Sequence, residues 1–235
     1  MVDNGRVEGI VARRHARVAG IFYLLTFAAS LPAVALIAPV VDDPAGYLTG
    51  SGQDGRVLLG SFLDVVNALA CVGTAVAVYP VMKRVQGSLA IGFVASRLVE
   101  AAVIMIGVVS LLAVVTLRQD LGGSDPAGLA TTGHALVAVR DWTFLLGPGT
   151  MPVFNALTFA TLLYLSRLVP RWIPTLGLIG APLLFLSSTL TFFGQNVQTS
   201  VLSAITTLPI AAWELSVGIY LLVRGFRPSP LLVAT

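Results

Sequence analysis

The chain has 235 residues, 56% of them hydrophobic and only 11% charged, with a formal net charge of +3 and a mean hydropathy of +0.90. A soluble domain must keep its surface wet, and this composition excludes one. A pI near 9.4 would suit an acidic partner, but the basic residues flank apolar runs, so membrane anchoring accounts for them and no nucleic-acid partner is implied.

About twenty apolar residues cross the roughly 30 Å hydrocarbon core of a bilayer. Runs of that kind predict six spans, near residues 18–41, 57–81, 88–117, 142–168, 173–193 and 202–223. The expected fold is an all-α polytopic membrane helix bundle of about six transmembrane helices. It is read as one integral membrane domain over 1–235, with a basic N-terminus (1–17) and a short C-terminal tail (224–235).

The first run contains Ala33, Val34 and Ala35, an A-x-A-like pattern after Arg13 and Arg14. It is longer than the 7–15 residues of a signal-peptide core, so a retained helix is expected. In the second span Gly60, Asp64, Asn67, Cys71 and Thr74 recur at steps of four and three, which places them on one helical face. Small residues on such a face serve close packing. Asp64, about 10 Å from the outer end at 1.5 Å per residue, marks one wall of a polar cavity as the other reading.

In the third span Arg97 and Glu100 lie three positions apart, on one side of the helix and near enough to pair. Either they form a buried ion pair, or Arg97 binds an anionic headgroup or carboxylate through its fork of donors. The stretch after this span is too long for a turn. Asp125 and Pro126 read as a cap and first-turn proline, and 127–139 permits an outer interfacial helix carrying His134. Gly147, Pro148 and Gly149 then interrupt the fourth span. A broken helix can expose backbone groups to a solute, but near the outer end a hydrated kink explains it equally.

The sixth span puts Thr207, Ala211, Glu214 and Gly218 on one side, and its own helix offers Glu214 no base at that depth. Glu214 must meet Arg97 from another helix, a proton, water or a cation. The ligand- or proton-binding candidates are therefore Asp64, Asn67, Arg97, Glu100 and Glu214. Intramembrane charges cost about 3 kcal/mol each on insertion scales, so such residues face a protein interior, a partner or water. Three spans followed by three also permit an inverted repeat, with Glu100 and Glu214 in corresponding members.

Arg6, Arg13, Arg14, Arg17, Lys83, Arg84, Arg167, Arg171, Arg224 and Arg227 all fall on one side of a six-span chain. The other side holds Arg56, Arg118 and Arg140 with Asp42, Asp43, Asp54, Asp120, Asp125 and Asp141. The positive-inside rule then puts both termini in the cytoplasm. A lone cysteine, Cys71, and two histidines, His15 and His134, leave no intrachain disulfide or multi-histidine metal site. No G-x-S-x-G, H-E-x-x-H or P-loop pattern is present, and no cofactor is implied.

The segments RVAGIFYLL, RLVEA, SRLVPRWIPTLGLIGAPLL and PIAAWELSVGIYLLVRGF follow one another along nearly the whole chain. In that order they resemble the bacterial membrane family catalogued as domain of unknown function 4386. The resemblance implies a multi-span bacterial inner-membrane protein with no established activity. Its motif carries over onto Arg97 and Glu100, onto Ser166, Arg167, Pro170 and Arg171, and onto Glu214 and Gly225. The GPGT at Gly147 to Thr150 departs from the glycine- and aromatic-rich stretch of the pattern, so no family-wide role attaches to that break.

Two function classes follow. One is transport or binding of a small solute, lipid or proton through the polar intramembrane residues. The other is a non-catalytic membrane partner or regulator, for which the missing catalytic motifs speak; an enzyme is a distant third. The partners implied are the lipid bilayer and, under the first class, a small-molecule or proton ligand, and oligomeric state is not legible. The topology predicts that Asp43→Cys and Pro228→Cys, each with Cys71 replaced, label from opposite sides of intact cells: Asp43→Cys from outside, Pro228→Cys only after permeabilisation. Labelling of both from one side overturns the six-span count.

Overall fold

The computed structural model describes residues 2–50, 53–121 and 126–229. Every element among them is helical: α1 (Val2–Asp42), α2 (Pro44–Thr49), α3 (Asp54–Met82), α4 (Gly87–Leu121), α5 (Pro126–Leu146), α6 (Met151–Asn155), a π-helical turn (Ala156–Ala160), α7 (Thr161–Ser166), α8 (Trp172–Phe192) and α9 (Val201–Val223). Helices are what an apolar solvent demands, because they satisfy each backbone polar group within the segment. The protein is a multi-pass membrane protein: α1, α3, α4, α8 and α9 each contain a stretch long and apolar enough to cross a bilayer.

Five of the expected spans thus correspond to single helices. The fourth, 142–168, is divided into the end of α5, a turn at Gly147 to Thr150, and the run α6, π turn, α7. The interfacial helix expected over 127–139 is the first part of α5, which continues to Leu146 because nothing before Gly147 breaks it. The Asp125 cap lies outside the described residues.

Contacts divide the chain into two compact units: unit 1 is Met1–Leu24, Ala70–Val99 and Gly149–Thr235, and unit 2 is Leu25–Leu69 and Glu100–Pro148. Helices α1, α3 and α4 contribute residues to both.

In unit 1, Ala12, Ala16, Ala19 and Tyr23 form a buried stripe on α1. Their spacing of four, three and four is that of one helix face. The stripe lets backbones approach. A Cβ on Gly20 would lie 2.5 Å from the Leu222 nitrogen and 2.7 Å from the Gly218 oxygen of α9. Similarly, a Cβ on Gly177 of α8 would lie 2.7 Å from the Trp213 ring, and one on Gly180 would lie 2.9 Å from Ile210. The aromatic centre is Tyr23, Phe93, Phe159 and Trp213, with Phe93 and Phe159 stacked at 4.7 Å between centroids.

Unit 2 buries Ile37, Val57, Leu111, Val114 and Val137. Its polar latch is Asp54, which takes hydrogen bonds from the Tyr47 hydroxyl at 2.6 Å, Arg118 Nη1 at 2.5 Å and Gln119 Nε2 at 3.1 Å. Burial first, and then the bond to Asp54, push the Tyr47 hydroxyl above its usual pKa, so it stays a donor. Asp43 caps α2 through the Gly46 N–H, with Pro44 behind it.

Close approach at Gly20 predicts a contrast between two identical substitutions. Gly20→Ala forces the α1 and α9 backbones apart and should destabilise by about 1–3 kcal/mol. Gly55→Ala meets nothing within 4 Å and should be neutral or stabilising by up to about 1 kcal/mol. Thermal melting in detergent ranks them; equal melting temperatures would contradict the crossing.

Candidate functional site

Asp64 and Asn67 lie one helical turn apart on α3 and line a cavity of about 50 Å³ within unit 2. Ser30 of α1 and Arg140 and Thr143 of α5 supply the other polar groups, while Ile104, Leu111 and Phe144 form apolar wall. A water needs about 10–15 Å³ on this kind of measure, so the cavity has room for a few waters or one small polar group, not for a phospholipid. Helices α4 and α5 close in beside it because Gly107 has no side chain; a Cβ there would meet Thr143 Oγ1 at 2.6 Å.

Asp64 is half-buried and, among the described residues, makes no direct hydrogen bond or ion pair. Its charge partner through space is Arg140. Arg140 is itself held: it is buried, it reaches Asp141 at 3.4 Å, and its guanidinium carbon lies 4.4 Å from the centre of the Phe144 ring. Cation–π packing of this kind keeps a guanidinium in place, and Asp141 supplies its counter-charge. The cavity therefore sets a carboxyl group on α3 and a guanidinium on α5 that do not meet at ion-pair distance.

Sequence reasoning put Arg140 in the outer connection and missed it as a site residue. A signal existed, because Arg140, Thr143, Phe144 and Gly147 are spaced by three, one and three, one face of a helix that runs through 142.

Arg97 and Glu214 come together in unit 1. Arg97 Nη2 donates to Glu214 Oε1 at 2.9 Å, with side chains 2% and 14% exposed. Nη1 reaches Cys71 Sγ at 3.6 Å, and the guanidinium carbon lies 5.1 Å from the Tyr23 ring centre and 5.7 Å from that of Phe93. Of the four fates open to Glu214, the structure supplies the cross-helix base. The pair is closed by aromatic rings, and neither residue lines the cavity. Glu100 is buried on α4 within unit 2 and does not line the cavity either.

A second buried polar contact accompanies the pair. Ser96 Oγ lies 2.6 Å from Asn155 Oδ1 and 2.9 Å from the Phe93 carbonyl, and Asn155 is fully buried. Asn155 ends α6 where the π turn begins. The exposed His134 joins no cluster, and the described residues contain no group of three metal-ligating side chains.

Burial of both charges predicts strong coupling. Arg97→Leu and Glu214→Leu should each cost about 3–5 kcal/mol by leaving a charge uncompensated, whereas the double variant should recover much of the loss. A double-mutant cycle read by thermal melting in detergent measures it. Additive losses would show that the pair does not hold the bundle.

Residues 18–225 match the family described as Domain of unknown function (DUF4386). Comparison with curated proteins and with solved structures finds no match. The match takes in α3 to α9 whole and α1 from residue 18, including Asp64, Asn67, Arg97, Glu100, Arg140 and Glu214. On that extent, the chain belongs to the DUF4386 family.

Proposed function

We propose that the protein binds a proton at the Asp64 cavity and that transport across the membrane is the use made of it. The observation that carries this reading is an intramembrane carboxylate without a direct partner among the described residues, in a cavity large enough for water, beside a guanidinium held by other groups. Intramembrane acids in wet cavities mark proton and ion paths, because a proton, water or counter-charge must satisfy them. A cation is disfavoured by Arg140, and a lipid by the volume. Asn67, Ser30 and Thr143 supply hydrogen-bonding groups for the water that would relay a proton.

We place the chain in a bacterial inner membrane with both termini in the cytoplasm, on the distribution of Lys and Arg among the connections. This requires the divided segment 142–168 to cross as well. Arg97 and Glu214 act in this reading as a fixed structural pair.

Purified protein reconstituted into liposomes with an internal pH dye tests the proposal. Wild type should collapse an imposed pH gradient faster than protein-free liposomes, and Asp64→Asn should abolish the difference while retaining the wild-type melting temperature. Flux that is absent from wild type, or that survives in Asp64→Asn, overturns the assignment and leaves the non-catalytic membrane partner as the reading.

A further inference from the structure

Four basic residues outside the cavity, Arg13, Arg167, Arg224 and Arg227, sit on segments that meet at one end of unit 1. Arg167 follows α7 in the left-handed conformation, φ 54°, and no other described residue except glycine has a positive φ. That conformation is unfavourable for a residue that carries a side chain. Here it buries Leu168 completely and leaves Arg167 exposed. The Leu168 carbonyl then accepts the Arg227 N–H at 2.8 Å, fastening the segment after α9 to the segment after α7. Gly225, φ 74°, makes the intervening turn, and a Cβ on it would lie 3.1 Å from Arg13 Cγ of α1.

Arg13, Arg167, Arg224 and Arg227 are thus gathered from three stretches of chain, and all are exposed. None of them has a carboxylate partner among the described residues. Unit 1 has few acids to offer: Glu214 is engaged with Arg97, and the others, Asp3 and Glu8, have side chains outside the described set. Gathering like charges in this way costs energy unless an anion offsets it.

The position of the cluster says which anion. Arg224 is the first residue beyond α9, where a membrane-spanning helix leaves the hydrocarbon. Aromatic groups of the kind found at headgroup depth hold its neighbours: Arg171 lies 4.8 Å over the Tyr164 ring, and Arg227 Nε donates to the Tyr220 hydroxyl at 3.3 Å. Guanidinium groups match phosphate with two parallel hydrogen bonds.

We propose that Arg13, Arg167, Arg224 and Arg227 form a binding site for the phosphate of an anionic phospholipid headgroup. The site also gives a physical role to the SRLVPR and RGF stretches. Arg167 and Gly225 turn the chain, and Leu168 and Arg227 join the two turns, which brings the stretches that carry the four arginines together. It is independent of the Asp64 reading.

The full chain in a neutral detergent is the test, with melting temperature read against added phosphatidylglycerol, phosphatidylcholine or inorganic phosphate. Phosphatidylglycerol should raise the melting temperature by roughly 5 °C near saturation, and phosphatidylcholine and phosphate should not. No preference of wild type for phosphatidylglycerol overturns the proposal, as does an equal shift with phosphate alone. The variant with Arg13, Arg167, Arg224 and Arg227 all replaced by Gln should lose the preference. A control with Arg14, Arg17, Lys83 and Arg84 replaced by Gln removes the same charge and should keep it; equal loss in both shows diffuse attraction and no site. If the fourfold variant does not fold, Arg167→Gln and Arg227→Gln singly must each weaken retention of phosphatidylglycerol in native mass spectrometry, and unchanged retention in both overturns the proposal.

Discussion

A guanidinium sealed inside a membrane protein must be neutralised where it sits, and the interior of unit 1 is organised by that requirement. Arg97 of α4 draws a carboxylate from α9, a thiol from α3, and ring faces from α1 and from its own helix. Four helices are tied to one charge. Phe159 of the π turn then stacks on Phe93 and lies 6.1 Å from Tyr23, so the aromatic core is built on the groups that solvate Arg97. Replacing such a pair by apolar residues costs little in principle, while breaking it costs a great deal. It specifies which helices meet more than it strengthens their meeting.

Unit 2 handles its charges differently. Asp54 is saturated by Tyr47, Arg118 and Gln119, and those bonds join α2 to α3 and α4. Asp64 is given room in place of bonds. The same unit thus contains a closed carboxylate and an open one, and the open one lies at the cavity. The contrast is between a carboxylate fixed by three bonds and one that faces a space large enough for water.

The apolar runs located α3, α4, α8 and α9 to within a few residues, as with 173–193 against Trp172–Phe192 and 202–223 against Val201–Val223, whereas the run starting at 18 missed the first sixteen residues of α1, which begins at Val2. Hydropathy suffices there because the bilayer sets the length. It failed to separate α5 from α6, since the apolar run continues across Gly147 to Thr150 although the helix does not. Of the five candidate residues, spacing within a helix correctly placed Asp64 and Asn67 side by side. Partnership between helices was beyond it: Arg97 and Glu214 are 117 positions apart, and only packing brings them together. Arg140 was hidden by the assumption that a charge near a loop belongs to water.

The π turn at Ala156–Ala160 has a geometric meaning. A π turn is an α-helix with one residue too many, and each added residue rotates everything after it by about 100°. The buried residues before it, Val153 and Asn155, and those after it, Leu162 and Leu163, therefore do not share one unbroken helical stripe. Backbone carbonyls around the widened turn are taken up by threonine hydroxyls: Thr158 bonds to Phe154 at 2.7 Å and Thr161 bonds to Leu157. One residue more or fewer in this turn would swing the buried face of α7 by about 100° relative to that of α6.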